Sequence, residues 1–402
     1  MSANSNEVVE HPMPMSMDEV LRLPKRKALA KAASGLAESL MDRQPEMVEL
    51  DGRLYPAGAE AVEVPMLKGA DAQLAVKLST EGFIPDHAEV DYVPRLEPRA
   101  MRRPKFIERN QLAGAVPGAK TIFGRDDRKV FYSTAYPWRC NGRVETPLGF
   151  GSGVMVGPRH LLTCSHIIDW LPNGTGWLKF TPMYYNGSAP YGAAWAVRVF
   201  SKFKVRGPTI DPTEAQFDYV CVVLNSNIGN ATGWLGTKGY SDSWDGNAVF
   251  THVGYPADLT GMQRPVFVNG VALDGDFWTT DAHQRIDHKA DVWPGQSGGP
   301  FWGYWSGSPF AVATQSGQTP SNNSASGGSN LVDLVSQARA PSPEPRPGTR
   351  FVTPAARCCG RCKLPRPARA PCIQDRSCRN DHRRPHVERS PSFTALRRAH
   401  AR

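Results

Sequence analysis

The stretch Gly295-Gln296-Ser297-Gly298-Gly299-Pro300 sets one serine hydroxyl between glycines, in a turn that needs their backbone freedom. A serine hydroxyl is barely acidic, so it serves as a nucleophile only if a neighbouring base takes its proton during attack. Upstream, Leu161-Leu162-Thr163-Cys164-Ser165-His166 carries an imidazole at the end of an apolar run. Between the two lies Phe217-Asp218-Tyr219-Val220, where a carboxylate opens the apolar run Tyr219–Leu224. Such a carboxylate, held at a sheet edge, can fix the histidine tautomer and stabilise the imidazolium. His166 is therefore the expected base, Asp218 the expected orienting acid and Ser297 the expected nucleophile. Asp169, three residues beyond His166, is the competing acid, but local geometry makes its inward alignment hard.

The backbone N–H groups of Gly295 and Ser297 are expected to form the oxyanion hole, aimed by the turn at Gly295 and Gly298. Thr314-Gln315-Ser316-Gly317 follows the next strand and is expected to pair with a substrate backbone as an added strand. Asp291, six residues before Ser297, invites a reading as the carboxylate at the base of a pocket for basic side chains. The alternative is that it faces a turn or is covered by its neighbours.

Around these residues the chain is written in short strands separated by Gly, Pro and Asn turns. They run over 129–133, 153–156, 160–163, 195–200, 219–224, 248–253, 266–271 and 309–314. Helical spacing is clear only over 330–338, with Leu331, Leu334 and Val335 on one face. The pattern predicts an all-β domain over 121–340, whose length suits two six-stranded antiparallel β-barrels closed by a C-terminal helix.

The flanks differ in texture. Residues 1–120 read as a prosegment-like extension, with one helical pattern over 18–41 broken at Pro24 and then prolines at 45, 56, 65, 85, 94, 98 and 104. Residues 341–402 hold fifteen Lys and Arg against four Asp and Glu. That is a net of +11 in a chain whose total is +9, so residues 1–340 carry −2. The basic charge belongs to a Pro/Arg/Cys-rich tail that reads as disordered, and it is no argument that the globular part binds nucleic acid. Cys359-x-x-Cys362 has finger-like spacing, but Cys372 and Cys378 do not complete a frame, and no metal or cofactor is expected. No apolar run is long enough to span a membrane, and no signal-peptide pattern opens the chain. The body holds three cysteines, Cys140, Cys164 and Cys221, so at least one thiol is left over or paired elsewhere.

The order His, Asp, Ser is that of the chymotrypsin-type triad. Residues 121–340 resemble the glutamyl-endopeptidase branch of the chymotrypsin-like serine proteases. The resemblance is carried by Gly124-Arg125-Asp126-Asp127-Arg128, Thr134-Ala135-Tyr136-Pro137, the run 151–158, the run 225–234 and the three triad motifs. It implies a secreted, monomeric serine endopeptidase with an N-terminal propeptide and no cofactor, acting on proteins or peptides. Carried over position by position, it assigns the triad to His166, Asp218 and Ser297.

The chain departs from the family pattern at several places. Gln296 stands where trypsin-like zymogens carry the Asp that pairs with a new N-terminus, so activation by that ion pair is not expected; cleavage at Lys120–Thr121 remains plausible. Gln315 stands where Glu-specific relatives place a pocket histidine, which leaves acidic and basic specificity both open. Cys164 precedes His166 where relatives have a cysteine after it. Cys140 could pair with Cys164, with Cys221 a buried free thiol. Four sequons, at Asn173, Asn186, Asn230 and Asn322, agree with export. The competing function is a catalytically silent, protease-like binding module.

Overall fold

The computed structural model describes residues 11–27, 44–50, 53–68, 71, 79–99, 122–275, 282–318 and 321–341. The tail from 342 onward, the Lys120–Thr121 bond and the helical pattern beyond residue 27 lie outside the described residues.

Besides a hairpin of Met47–Leu50 on Arg53–Pro56, three short strands precede the domain body: β1 (Glu60–Glu63), β2 (Ser79–Thr80) and β3 (Arg95–Leu96), followed by β4 (Lys129–Tyr132). The first barrel is built from β5 (Asn141–Thr146), β6 (Gly149–Gly157), β7 (His160–Thr163), β8 (Lys179–Pro182), β9 (Ala194–Ser201) and β10 (Val220–Leu224). Its strands run in the order β8-β5-β6-β7-β10-β9, and β8 pairs with β9 to close the ring. After β11 (Gly236–Lys238) comes the second barrel. Its strands are β12 (Ala248–Gly254), β13 (Val266–Gly275), β14 (Gln284–His288), β15 (Pro300–Trp305), β16 (Ser308–Gln318) and β17 (Asn323–Gly327). These run β12-β15-β16-β17-β14-β13, closed by β12 on β13. Both rings are six-stranded and antiparallel, so neither leaves a free sheet edge.

Alternation explains part of this. Along β9 buried and less buried side chains alternate, Ala194 and Ala196 in one phase and Val199 and Ser201 in the other, the phase changing at a bulge between Ala196 and Arg198. All of β10, Val-Cys-Val-Val-Leu, is buried instead. Its outer face is covered by the closing helix α1 (Ser329–Arg339), whose Leu331, Leu334, Val335 and Ala338 are buried. The expected apolar face of that helix is the one that docks. Phe131, Trp138, Phe267 and Trp302 meet edge-on at centroid distances of 5.2 to 5.8 Å and pack β4 and the turn before β5 against the second barrel.

The described part of the extension is built into this frame. β1 pairs in parallel with β9, and β3 pairs with β4, which itself lies on β13. β2 pairs with β11, which lies on β16. Lys202 is a staple. Its side chain is fully buried, donates to Pro65 O at 2.6 Å and pairs with Asp333 of α1. Near the start of the chain, Met15 N donates to Tyr304 O at 2.7 Å and Trp305 Nε1 to Pro12 O at 2.7 Å.

Candidate active site

β7 ends at Thr163, and the chain then turns through Cys164 and Ser165 to His166. β10 is the neighbour of β7, so Asp218, two residues before β10, is brought to the same rim. His166 Nδ1 and Asp218 Oδ2 lie 2.7 Å apart. Asp218 is fully buried yet accepts from four donors: the N–H of Ser165 and of His166, both at 2.8 Å, His166 Nδ1, and Ser316 Oγ at 2.6 Å. Burial alone would raise the pKa of Asp218. The His166 charge and these hydrogen bonds outweigh it, so the carboxylate sits below its ordinary range. Burial likewise opposes a charged His166, but Asp218 prevails and holds the imidazole well above its ordinary value. Asp169 takes no part: its carbonyl accepts from Gly176 N, and the acid on His166 is Asp218.

The turn that carries Ser297, the expected nucleophile, reaches the rim from the second barrel. Gly298 N donates to Gln315 O at 2.8 Å, and Gln315 N donates back to Gly299 O at 2.8 Å, which docks the turn on β16. Ser152 N of β6 donates to Ser297 O at 2.7 Å. Gly298 has φ +78°, and a Cβ there would stand 2.1 Å from Thr163 Oγ1 and 2.7 Å from Cys164 N. Only glycine lets Ser297 approach the histidine turn so closely. Gly295, at φ +101°, is constrained in the same way by Tyr255 O, and its carbonyl accepts from Ser152 Oγ at 2.8 Å. With that carbonyl turned away, the N–H groups of Gly295 and Ser297 make no hydrogen bond among the described residues. Two unspent donors beside a serine are what a developing oxyanion needs.

Two closed six-stranded barrels are thus present, with His166 and Asp218 on the first and the Ser297 turn on the second. The domain is chymotrypsin-like, and its sequence is similar to a glutamyl endopeptidase. That relative, from Bacillus licheniformis, is 29% identical over 196 residues, which is 48% of this chain and 58% of the relative. The chain thus spans a little under three fifths of the curated relative it matches. Among solved structures, a Glu endopeptidase in complex with MPD aligns with TM-score 0.46 and 16% identity, over 55% of this chain and 100% of that one. The protease Anisep from Arthrobacter nicotinovorans aligns with TM-score 0.39 and 20% identity, over 50% and 97%. No family model matches the chain.

In this chymotrypsin-like domain the other expected residues are placed as follows. Thr314 Oγ1 donates to Asp218 O at 3.2 Å, and Ser316 Oγ to the Asp218 carboxylate, so both brace the acid. A bulge between Gln315 and Gly317 breaks the pairing of β16 with β17 at Ser316. Gln315 is buried, and its amide donates to Gly317 O and Ser324 O at 3.1 and 3.2 Å. Asp291 is 1% exposed and accepts from the N–H groups of Phe123 and Asp127, at 2.7 and 2.9 Å. Its two oxygens hold the start of the domain. A cleft of about 160 Å³ beside His166 is lined by Pro208, Ile210, Arg285, Ser316 and Gly317, among others.

Two features escaped the sequence reading. Arg128 belongs to a motif quoted for its resemblance but given no role. Its guanidinium is buried, bidentate to Asp258 at 2.7 and 2.9 Å, paired with Asp126, and donates to Gln296 Oε1 at 3.2 Å. Gln296 thus has a cationic partner after all, supplied by a side chain rather than a new N-terminus. The second is a correction. Cys140 does not pair with Cys164; all three body cysteines are free and buried. Cys140 Sγ bonds to Thr232 O, whereas Cys164 Sγ lies 3.8 Å from His166 Nε2. Among the described residues that thiol, not Ser297, is the hydrogen-bond partner of Nε2.

Proposed function

We propose that the chain is a serine endopeptidase that cleaves proteins or peptides through an acyl-enzyme on Ser297. The observation that carries this is the joint placement of a carboxylate-oriented imidazole and a glycine-aimed serine turn with two unspent N–H donors. Substrate binding brings Ser297 Oγ to His166 Nε2 in place of the Cys164 thiol. As Oγ attacks the carbonyl carbon, Nε2 takes its proton, and the new oxyanion sits between the N–H groups of Gly295 and Ser297. Asp218 stays ionised and stabilises the imidazolium. His166 then gives its proton to the leaving amine. Water, deprotonated by His166, hydrolyses the ester and restores the serine. Ser316, freed from its ladder by the bulge, offers its backbone to an extended substrate.

For the substrate side chain we favour an acidic residue. Arg285 lines the cleft, where its guanidinium also pairs with Asp287 at 3.4 Å, and the carboxylate of Asp291 is engaged by backbone donors. The name of the glutamyl endopeptidase relative agrees with this choice. We read the extension as a strap that stays docked, because its strands join both barrels and the lining residues of the cleft all lie at 166 or beyond. Action outside the cell is part of the same reading; no helix among the described residues is long and apolar enough to cross a membrane.

The test is fluorophosphonate labelling of the full chain, with peptide mapping of the adduct. Covalent label on Ser297, lost in Ser297→Ala, is the expected result. A folded protein that takes no label and cleaves no peptide library overturns the proposal in favour of a silent binding module.

A further inference from the structure

We propose that Cys164 Sγ and His166 Nε2 form an inhibitory binding site for a thiophilic divalent cation, zinc above all, which shuts the catalytic centre by occupying its base. The site rests on the reading of His166 as that base. The geometry begins with the separation of the two atoms, 3.8 Å. Zinc sits about 2.3 Å from a thiolate sulfur and about 2.0 Å from an imidazole nitrogen, which at a tetrahedral angle spans about 3.5 Å. A shift of a few tenths of an ångström converts the present contact into a bidentate bite. Ligand atoms of Cys164, His166 and Asp218 all lie within 4.8 Å of one another.

The hydrogen bonding behind the imidazole is independent support. Asp218 accepts from Nδ1 at 2.7 Å, so in the neutral imidazole the lone pair lies on Nε2, and its basicity is raised. A carboxylate behind a histidine is the arrangement that orients and strengthens a zinc-binding imidazole. The same bond that makes His166 a good base therefore makes it a good ligand. Asp218 is committed to Nδ1, to Ser316 and to two backbone donors, so it acts from behind, and water completes the coordination on the cleft side.

Access and proton balance are both defined. Cys164 is fully buried, but His166 lines the cleft, so the ion arrives across the imidazole edge. On binding, the Cys164 thiol and the protonated His166 Nε2 each give a proton to water as the sulfur–metal and nitrogen–metal bonds form; no oxidant or reductant is involved. With Nε2 metal-bound, no lone pair remains to accept the Ser297 proton.

The experiment uses the full chain with its five tail cysteines replaced by serine, so that any metal–thiolate signal comes from the body. Titration with Co2+ is expected to give a thiolate-to-cobalt charge-transfer band that Zn2+ abolishes. The band should vanish in Cys164→Ala and in His166→Ala but persist in Ser297→Ala. In parallel, Zn2+ should inhibit peptide cleavage, and Cys164→Ala should raise the inhibitory concentration by at least about tenfold. Cys164→Ser, close in size, guards against a packing defect. Absence of the band from the parent, or its survival in Cys164→Ala, overturns the inference while cleavage continues. A Cys164-dependent band in a protein that cleaves nothing keeps the metal site and sinks the protease reading instead.

Discussion

The two barrels hold their halves of the site in different ways. On the first, His166 and Asp218 are fixed by direct hydrogen bonds to one another and to the backbone between them, at the ends of adjacent strands. On the second, Ser297 is fixed by its surroundings: Gly298 wedged against Thr163, Ser152 on the Gly295 carbonyl, and Arg128 on Gln296. The first half is a short-range device that strand pairing delivers almost complete. The second is assembled from segments far apart in sequence, so it can be loosened without touching a reacting atom. Changes in the first should therefore alter chemistry and pH dependence, and changes around the second should alter geometry.

The comparison is tested hardest at the reacting atoms. Ser297→Ala should lower kcat on the order of 10⁶-fold with the fold intact, read by peptide cleavage and circular dichroism. Asp218→Asn should cost about 10⁴-fold in kcat, because the imidazole loses its tautomer and the stabilisation of its charged form. It should also move the acid limb of the kcat/KM profile. In the parent that limb should lie above the ordinary histidine value of about 6.5, since Asp218 holds His166 up. Without the carboxylate, burial dominates and the limb falls.

The same pair sets a pH window for stability. The His166 contribution is full below about pH 6.5 and is lost as pH rises through its raised folded pKa. The Asp218 contribution is full above about pH 3.9 and is lost as pH falls through its lowered one. Denaturant midpoints of the parent and His166→Gln should therefore differ most between those two values, and an equal gap at every pH would refute the linkage.

Arg128→Met probes the second half. It removes a buried cation from Asp126 and Asp258 and releases Gln296, so kcat should fall about a hundredfold while KM changes little. Unchanged kcat in a folded variant would mean that Arg128 does not position the turn. Arg285→Gln should lower kcat/KM for acidic peptides by roughly tenfold relative to neutral ones, one increment of about 1.4 kcal/mol. An equal loss on both classes would remove Arg285 from specificity. Lys202→Met should leave kinetics alone and cost about 3 kcal/mol of stability, because Asp333 and Pro65 O lose a buried partner.

Much of this was legible in the chain. The strand runs and the closing helix with Leu331, Leu334 and Val335 inward follow from local pattern, and the meeting of His166 with Asp218, 52 residues apart, from the order of the motifs. The parts that were not legible share a cause. Asp291 looks in sequence like a pocket base, but its partners at Phe123 and Asp127 lie more than 160 residues away. Gln296 looks unpartnered until Arg128, 168 residues upstream, reaches it. The extension reads as loose because its strands carry little alternation, yet they pair with strands that the barrels supply.

By itself the sequence determined that this is an all-β domain with a His, Asp, Ser order, because period-two burial and glycine-dependent turns are local properties of the chain. Tertiary structure alone decided that Asp291 braces the start of the domain, that Arg128 supports the serine turn, and that Cys164 faces Nε2 rather than a disulfide partner. Periodicity tells a side chain which face to turn inward. Only barrel closure, which brings distant strands edge to edge, tells it what it will meet there.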